Sequence, residues 1–119
     1  MGNINVYYKN KKLLNCKVLK NFRVIKGLMF SKKLEKNKGV ILDLGIEKER
    51  IFSSVHMLFV FQELDIIFLN DKLQIVDKVR LKPFELNYTP KGKTRFIIET
   101  NSKIISNLKV GDKLQFKKD

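Results

Sequence analysis

One histidine, one cysteine and twelve carboxylates are the groups from which acid–base, nucleophilic or metal chemistry would have to be built in this 119-residue chain. His56 stands beside Met57 in an apolar stretch, and a general acid or base there needs a partner such as Asp65 or Glu63 to fix its tautomer. A buried histidine bonded to backbone is the plainer reading. Asp65 sits inside an apolar run, where a carboxylate must be paired or hydrogen-bonded. It either orients His56 or pairs with Lys82 or Arg80, and a structural contact is the expectation. Cys16 has lysines near it in sequence, which would lower a thiol pKa, but no second cysteine or helix start accompanies it. Ser53 and Ser54 form no Gly-x-Ser-x-Gly elbow, and the six glycines never cluster into a phosphate loop. Glu47, Glu49 and Glu63 match no calcium-loop spacing, and one Cys with one His leaves too few soft ligands for a transition metal. No metal and no cofactor are therefore expected, and no residue is assigned a catalytic role. An alternative reading keeps a small-molecule-binding or enzymatic pocket, built from Gly27, Met29, His56, Asp65 and Lys82.

The cations carry a broader signal. The chain has 25 Lys plus Arg against 12 Asp plus Glu, a formal charge of +13, and 21 of the cations are lysines. Residues 1–38 hold eleven cations and the single anion Glu35, so they net +10, while the remainder nets +3. A surface of this sign attracts polyanions, because each neutralised phosphate releases condensed counterions. Lysine is a hydrated point charge and contacts phosphates without reading base edges. The expected interface is Lys9, Lys11, Lys12, Lys17, Lys20, Arg23, Lys32 and Lys33, with Tyr7 and Tyr8 beside them as stacking rings for unpaired bases. A lysine-rich composition inherited from an AT-rich or heat-adapted genome is the plain alternative.

These side chains need a scaffold, and the periodicity describes one. Ile4, Val6 and Tyr8 alternate with polar neighbours as in a half-buried strand, and the polar run from Lys9 to Lys12 suits a turn. The run from Leu13 to Leu19 returns, making a hairpin with lysines at its tip. Asn21 can cap a short helix carrying Val24, Ile25, Leu28 and Met29 on one face. Residues 31–38 read as a basic loop, 39–45 as a buried strand and 46–50 as a charged connection. Residues 52–69 read as two strands, and Asn70-Asp71 as a tight turn into a strand from Leu73 to Leu81. Pro90-Lys91-Gly92 turns the chain again, residues 96–98 form a strand, and Ile104, Ile105 and Leu108 mark a second short helix. A turn at Val110-Gly111-Asp112 leads into the last strand. Seven or eight short strands predict a mainly β fold, an antiparallel sandwich or partly closed barrel with two short helices. The chain reads as one domain over residues 1–119, with residues 1–38 integral to it. The opening residues do not resemble a secretory signal and the most apolar stretch is broken by His56, Gln62, Glu63 and Asp65, so no membrane segment and a cytoplasmic location are expected.

Five elements in order resemble the domain-of-unknown-function family 192, also known as uncharacterised protein family 0127. They are Lys26-Gly27-Leu28-Met29-Phe30 with Leu34; Gly39-Val40-Ile41-Leu42; Val55-His56-Met57; Leu64-Asp65-Ile66-Ile67-Phe68-Leu69 with Ile75-Val76; and Ile97-Ile98-Glu99 ahead of Val110-Gly111-Asp112. His56-Met57 resembles the archaeal form of a position where many bacterial members have Trp-Met. The resemblance implies a mainly β fold of jelly-roll type and supplies no catalytic residues. The sequence therefore predicts a non-catalytic basic binding module that contacts RNA phosphates, with a ribonucleoprotein such as the ribosome as its expected setting. Besides the pocket reading, a protein-interaction module pairing through an open sheet edge is the third alternative.

Overall fold

The computed structural model describes residues 3–20, 35–48, 63–82 and 88–119. Seven strands are seen: β1 (Ile4–Tyr8), β2 (Lys11–Lys20), β3 (Lys38–Lys48), β4 (Leu64–Leu69), β5 (Ile75–Leu81), β6 (Thr94–Thr100) and β7 (Gln115–Lys118). They form one sheet in the order β5-β4-β6-β3-β2-β1-β7. Every pairing is antiparallel except β2 with β3, which is parallel. That departs from a wholly antiparallel sheet. A parallel pair requires a crossover too long to be a hairpin, and residues 21–37 provide the length.

The β1–β2 hairpin turns on Lys9 and Asn10, both with positive φ (49° and 65°). Two left-handed residues match the twist of the flanking strands, so the turn is tighter than the expected Lys9-to-Lys12 stretch and Lys11 and Lys12 belong to β2. Two positions along, the register slips: Val6 faces Leu14 while Tyr7 faces Lys12, leaving Leu13 as the extra residue of a bulge. A bulge re-aims the side chains beyond it, here the lysines of the hairpin tip. In β3 the ladder with β6 also breaks, between Asp43 and Lys48, where Gly45 takes φ 85° and donates its N–H to Asp43 Oδ1 at 2.8 Å. Strand character persists beyond this break to Lys48, so part of the expected charged connection is strand.

Alternation sorts the apolar side chains onto two faces. Val6, Leu14, Cys16, Ile41, Ile67, Leu69, Ile75, Ile98, Leu108 and Leu114 are buried together on one, and Val40, Leu42, Leu64, Ile66, Phe68, Leu81 and Ile97 on the other. All six residues of β4 are buried, so this strand is covered on both faces. Around the first cluster the sheet curls until its edges meet at an isolated bridge between Gln74 and Lys113. Ile75 N donates to Asp112 O (2.8 Å), Gly111 N to Ile75 O (2.8 Å) and Leu114 N to Leu73 O (2.9 Å). The seven-stranded sheet is therefore not closed: its two ends are joined by these few bonds and not by a full ladder.

Helix is scarce among the described residues. The expected helix near Ile104 is a single 3-10 turn, Ile105–Asn107. The expected helix after Asn21, and the first of the two strands in residues 52–69, lie outside the described residues. No helix among the described residues is long and apolar enough to cross a membrane.

Candidate functional site

Three segments far apart in sequence enclose a concavity of about 620 Å³. The hairpin contributes Tyr8 and residues 11–15, the turn before β3 contributes Lys36, Asn37 and Lys38, and the segment after β6 contributes Lys103, Ile104, Asn107 and Leu108. Backbone bonds lock the three together. Asn15 N donates to Asn37 O (3.0 Å), and Asn37 N donates to Ser102 Oγ (2.8 Å). Thr100 Oγ1 donates to Lys38 O (2.6 Å) and accepts from Ser102 N (3.1 Å), which ties the end of β6 to the start of β3.

The third wall is held from both ends by charges on β4 and β5. Asp65 Oδ2 accepts the backbone N–H groups of Ile104 (2.8 Å) and Ile105 (3.1 Å), while Lys78 Nζ donates to the carbonyls of Ile105 (2.8 Å) and Leu108 (2.5 Å). The N–H and C=O groups that a single turn leaves unpaired are thus satisfied by side chains. Asp65, 2% exposed, is also bound twice by the Arg80 guanidinium opposite it on β5. Both carboxylate oxygens are bonded, Oδ1 to Arg80 and Oδ2 to Arg80 and the two N–H groups. Asp65 is therefore a support of the concavity wall and an ion-pair partner, with Arg80 of the two cations considered, and Lys82 is an exposed residue following β5 with polar contacts of its own.

Among the described residues, five lysines line the concavity (Lys11, Lys12, Lys36, Lys38 and Lys103) and no carboxylate does. Lys38 Nζ donates to Asn15 Oδ1 at 3.0 Å, so its charge is oriented by a neutral amide. Asn15 is itself saturated: Oδ1 also accepts from Asn3 Nδ2 (2.8 Å), and Nδ2 donates to Asn5 Oδ1 (2.8 Å) and Asp119 Oδ2 (3.0 Å). This buried network was not expected from the sequence, although asparagine recurs at positions 3, 5 and 15.

Of the expected phosphate contacts, Lys11 and Lys12 reach the concavity. Lys9 lies at the hairpin tip with its ammonium 5.3 Å from the Tyr8 ring centre. Lys17 is exposed on β2 and outside the lining. Lys20 is in register with Asp43. Burial pushes the Asp43 carboxyl up, but the Arg95 bond, the Gly45 N–H and the charges of Arg95 and Lys20 outweigh it and hold the group below its ordinary value. Arg23, Lys32 and Lys33, and the pocket residues Gly27, Met29 and His56, lie outside the described residues. Lys36, Lys38 and Lys103 were not among the expected contacts. The first two belong to the basic opening third, whereas Lys103 joins them because β6 pairs with β3 and β3 with β2, which sets the end of β6 beside Asn37.

Both tyrosines expected to stack on bases already carry a lysine on the ring, Lys9 on Tyr8 and Lys117 on Tyr7 (4.8 Å). The Tyr8 hydroxyl also bonds Asp112, whose carboxyl is held below the usual range first by the Lys109 N–H and then by this hydroxyl and the charges of Lys9 and Lys109. Cys16 is fully buried, and burial pushes its thiol up to about 12 against the smaller opposing effect of Lys38. Neighbouring lysines in sequence therefore do not activate it. Among the described residues no group of three His, Cys, Asp or Glu is placed to hold a metal ion.

The fold and this site can be set beside known proteins. A structure from Novosphingobium aromaticivorans, of a protein of unknown function, superposes with a TM-score of 0.81 over 95% of this chain and 83% of its own, at 20% identity, a likeness of fold. A UPF0127 protein of Pyrococcus furiosus is 38% identical over 92 residues, covering 76% of this chain and 75% of its own. One from Thermococcus sibiricus is 34% identical over 97 residues, 80% of this chain, and the chain spans 60% of that relative's length. Residues 9–116 match the model of the family DUF192, described as "Uncharacterized ACR", and the chain belongs to that family.

Proposed function

We propose that this protein is a non-catalytic binding module whose lysine-lined concavity takes the phosphate backbone of single-stranded RNA, in the cytoplasm and within a ribonucleoprotein such as the ribosome. The observation that carries the reading is the convergence of five lysines from three segments on one concavity, with no acid among the described residues of its lining. Cations gathered around one concavity attract a polyanion, which releases its own counterions on entering. Lysines give the strand a charged track without a sequence code. The overall excess of cations extends the attraction beyond the concavity.

The test is the salt dependence of binding to a labelled single-stranded RNA by fluorescence anisotropy. With one phosphate per lining lysine, log affinity falls against log salt with a slope of about −3.5, roughly a hundredfold loss between 50 and 200 mM. A flat dependence, or no binding at low salt, contradicts the reading. In cell lysate, ribonuclease should shift the protein from large particles to a slow-sedimenting species.

A further inference from the structure

We infer that the concavity seats one unstacked nucleotide of the strand, a nucleoside with a phosphate on either side, and does not grip bare backbone alone. The inference rests on the RNA reading above and deepens it. Its basis is the mixture of surfaces in the lining. A track for phosphates needs cations, but here Tyr8, Leu13 and Ile104, all partly buried, and the buried Leu14 and Leu108 stand among the lysines. Phosphate gains nothing from such carbons, whereas the flat face of a base does. The size agrees, since about 620 Å³ lies within the range of sites that enclose a small ligand.

The polar complement also suits a nucleoside. Asn37 and Asn107 bring amides that can both donate and accept, the pattern of base edges and ribose hydroxyls. Asn15 is already saturated and serves as the mount for Lys38. Because Lys9 sits over the Tyr8 ring, the base rests chiefly on Leu13 and Ile104. The wall bearing Ile104 and Asn107 is fixed beforehand by Asp65 and Lys78, so little ordering is left for binding to impose.

The experiment compares two probes of equal charge on the wild-type chain: heptauridylate, and a heptamer of abasic tetrahydrofuran phosphates. The RNA should bind about tenfold tighter, in keeping with the contribution of one base contact, at the same salt slope. Ile104→Thr and Leu13→Thr, checked for folding by thermal unfolding, should reduce that ratio toward unity and leave abasic binding unchanged. Equal binding of the two probes by the wild-type chain overturns the nucleotide pocket and leaves the phosphate reading standing. Binding of neither overturns both.

Discussion

Asp65 shows how much of this site depends on one side chain outside its lining. Its carboxylate joins β4 to β5 through Arg80 and β4 to the third wall through two backbone N–H groups. Replacing it with Ala leaves those two N–H groups unpaired and strips Arg80 of its partner. Arg80 is one-third exposed and can turn to water, so the cost belongs at the low end for a broken buried pair, about 3 kcal/mol. Urea unfolding of Asp65→Ala at neutral pH measures it, and a loss below about 1 kcal/mol would contradict the assignment. The need for a partner was legible in the sequence, because an Asp within an apolar strand cannot stand unpaired. The Ile104 and Ile105 donors were not, since nothing in a linear pattern states which loop folds over which strand.

Elements were easier to read than their pairings. Alternation located β1 and β5, apolar runs located β2 and β4, and Leu81 ends β5 ahead of Pro83 as expected. The parallel β2–β3 pair escaped, because alternation reports burial and not the direction of the neighbouring strand. Gly39 marks that join. A Cβ placed there would meet Glu99 O at 2.9 Å, Cys16 Sγ at 3.1 Å and Thr100 Cβ at 3.3 Å. The nearest atom is backbone of the adjacent β6, which cannot rotate away. Gly39→Ala should therefore destabilise the protein by about 1–3 kcal/mol in thermal or urea unfolding. An unchanged midpoint would show that the ladder between β3 and β6 gives more freely than this contact allows. The concavity itself was half legible: the basic opening third announced Lys11 and Lys12, but Lys103 reaches them through the pairing of β6 with β3 and of β3 with β2, which no linear pattern states.

At the scale of the molecule, burial sets a limit in alkali. Burial and the Asp77 bond (2.6 Å) push the Tyr88 phenol up to about 12, and burial alone does the same for Cys16. Both folded values lie above the ordinary 10.0 and 9.0, so the associated stability is complete below pH 9 and is lost as pH rises toward 12. Unfolding free energies across that window should fall less steeply for Tyr88→Phe than for the wild type, a difference that removes the common effect of lysine deprotonation. Parallel curves would contradict the Tyr88 assignment. The same scale carries the functional claim, since a charge of +13 attracts polyanions everywhere and the account requires that one concavity does the binding. The decisive measurement is the salt slope of RNA affinity for Lys11→Gln/Lys12→Gln/Lys103→Gln beside Lys72→Gln/Lys91→Gln, whose lysines lie outside the lining. Removing three of five contacts should flatten the slope from about −3.5 to about −1.4, while the second variant keeps the wild-type value. Equal slopes for the two variants would mean that the charge acts diffusely and that the concavity is not the RNA site.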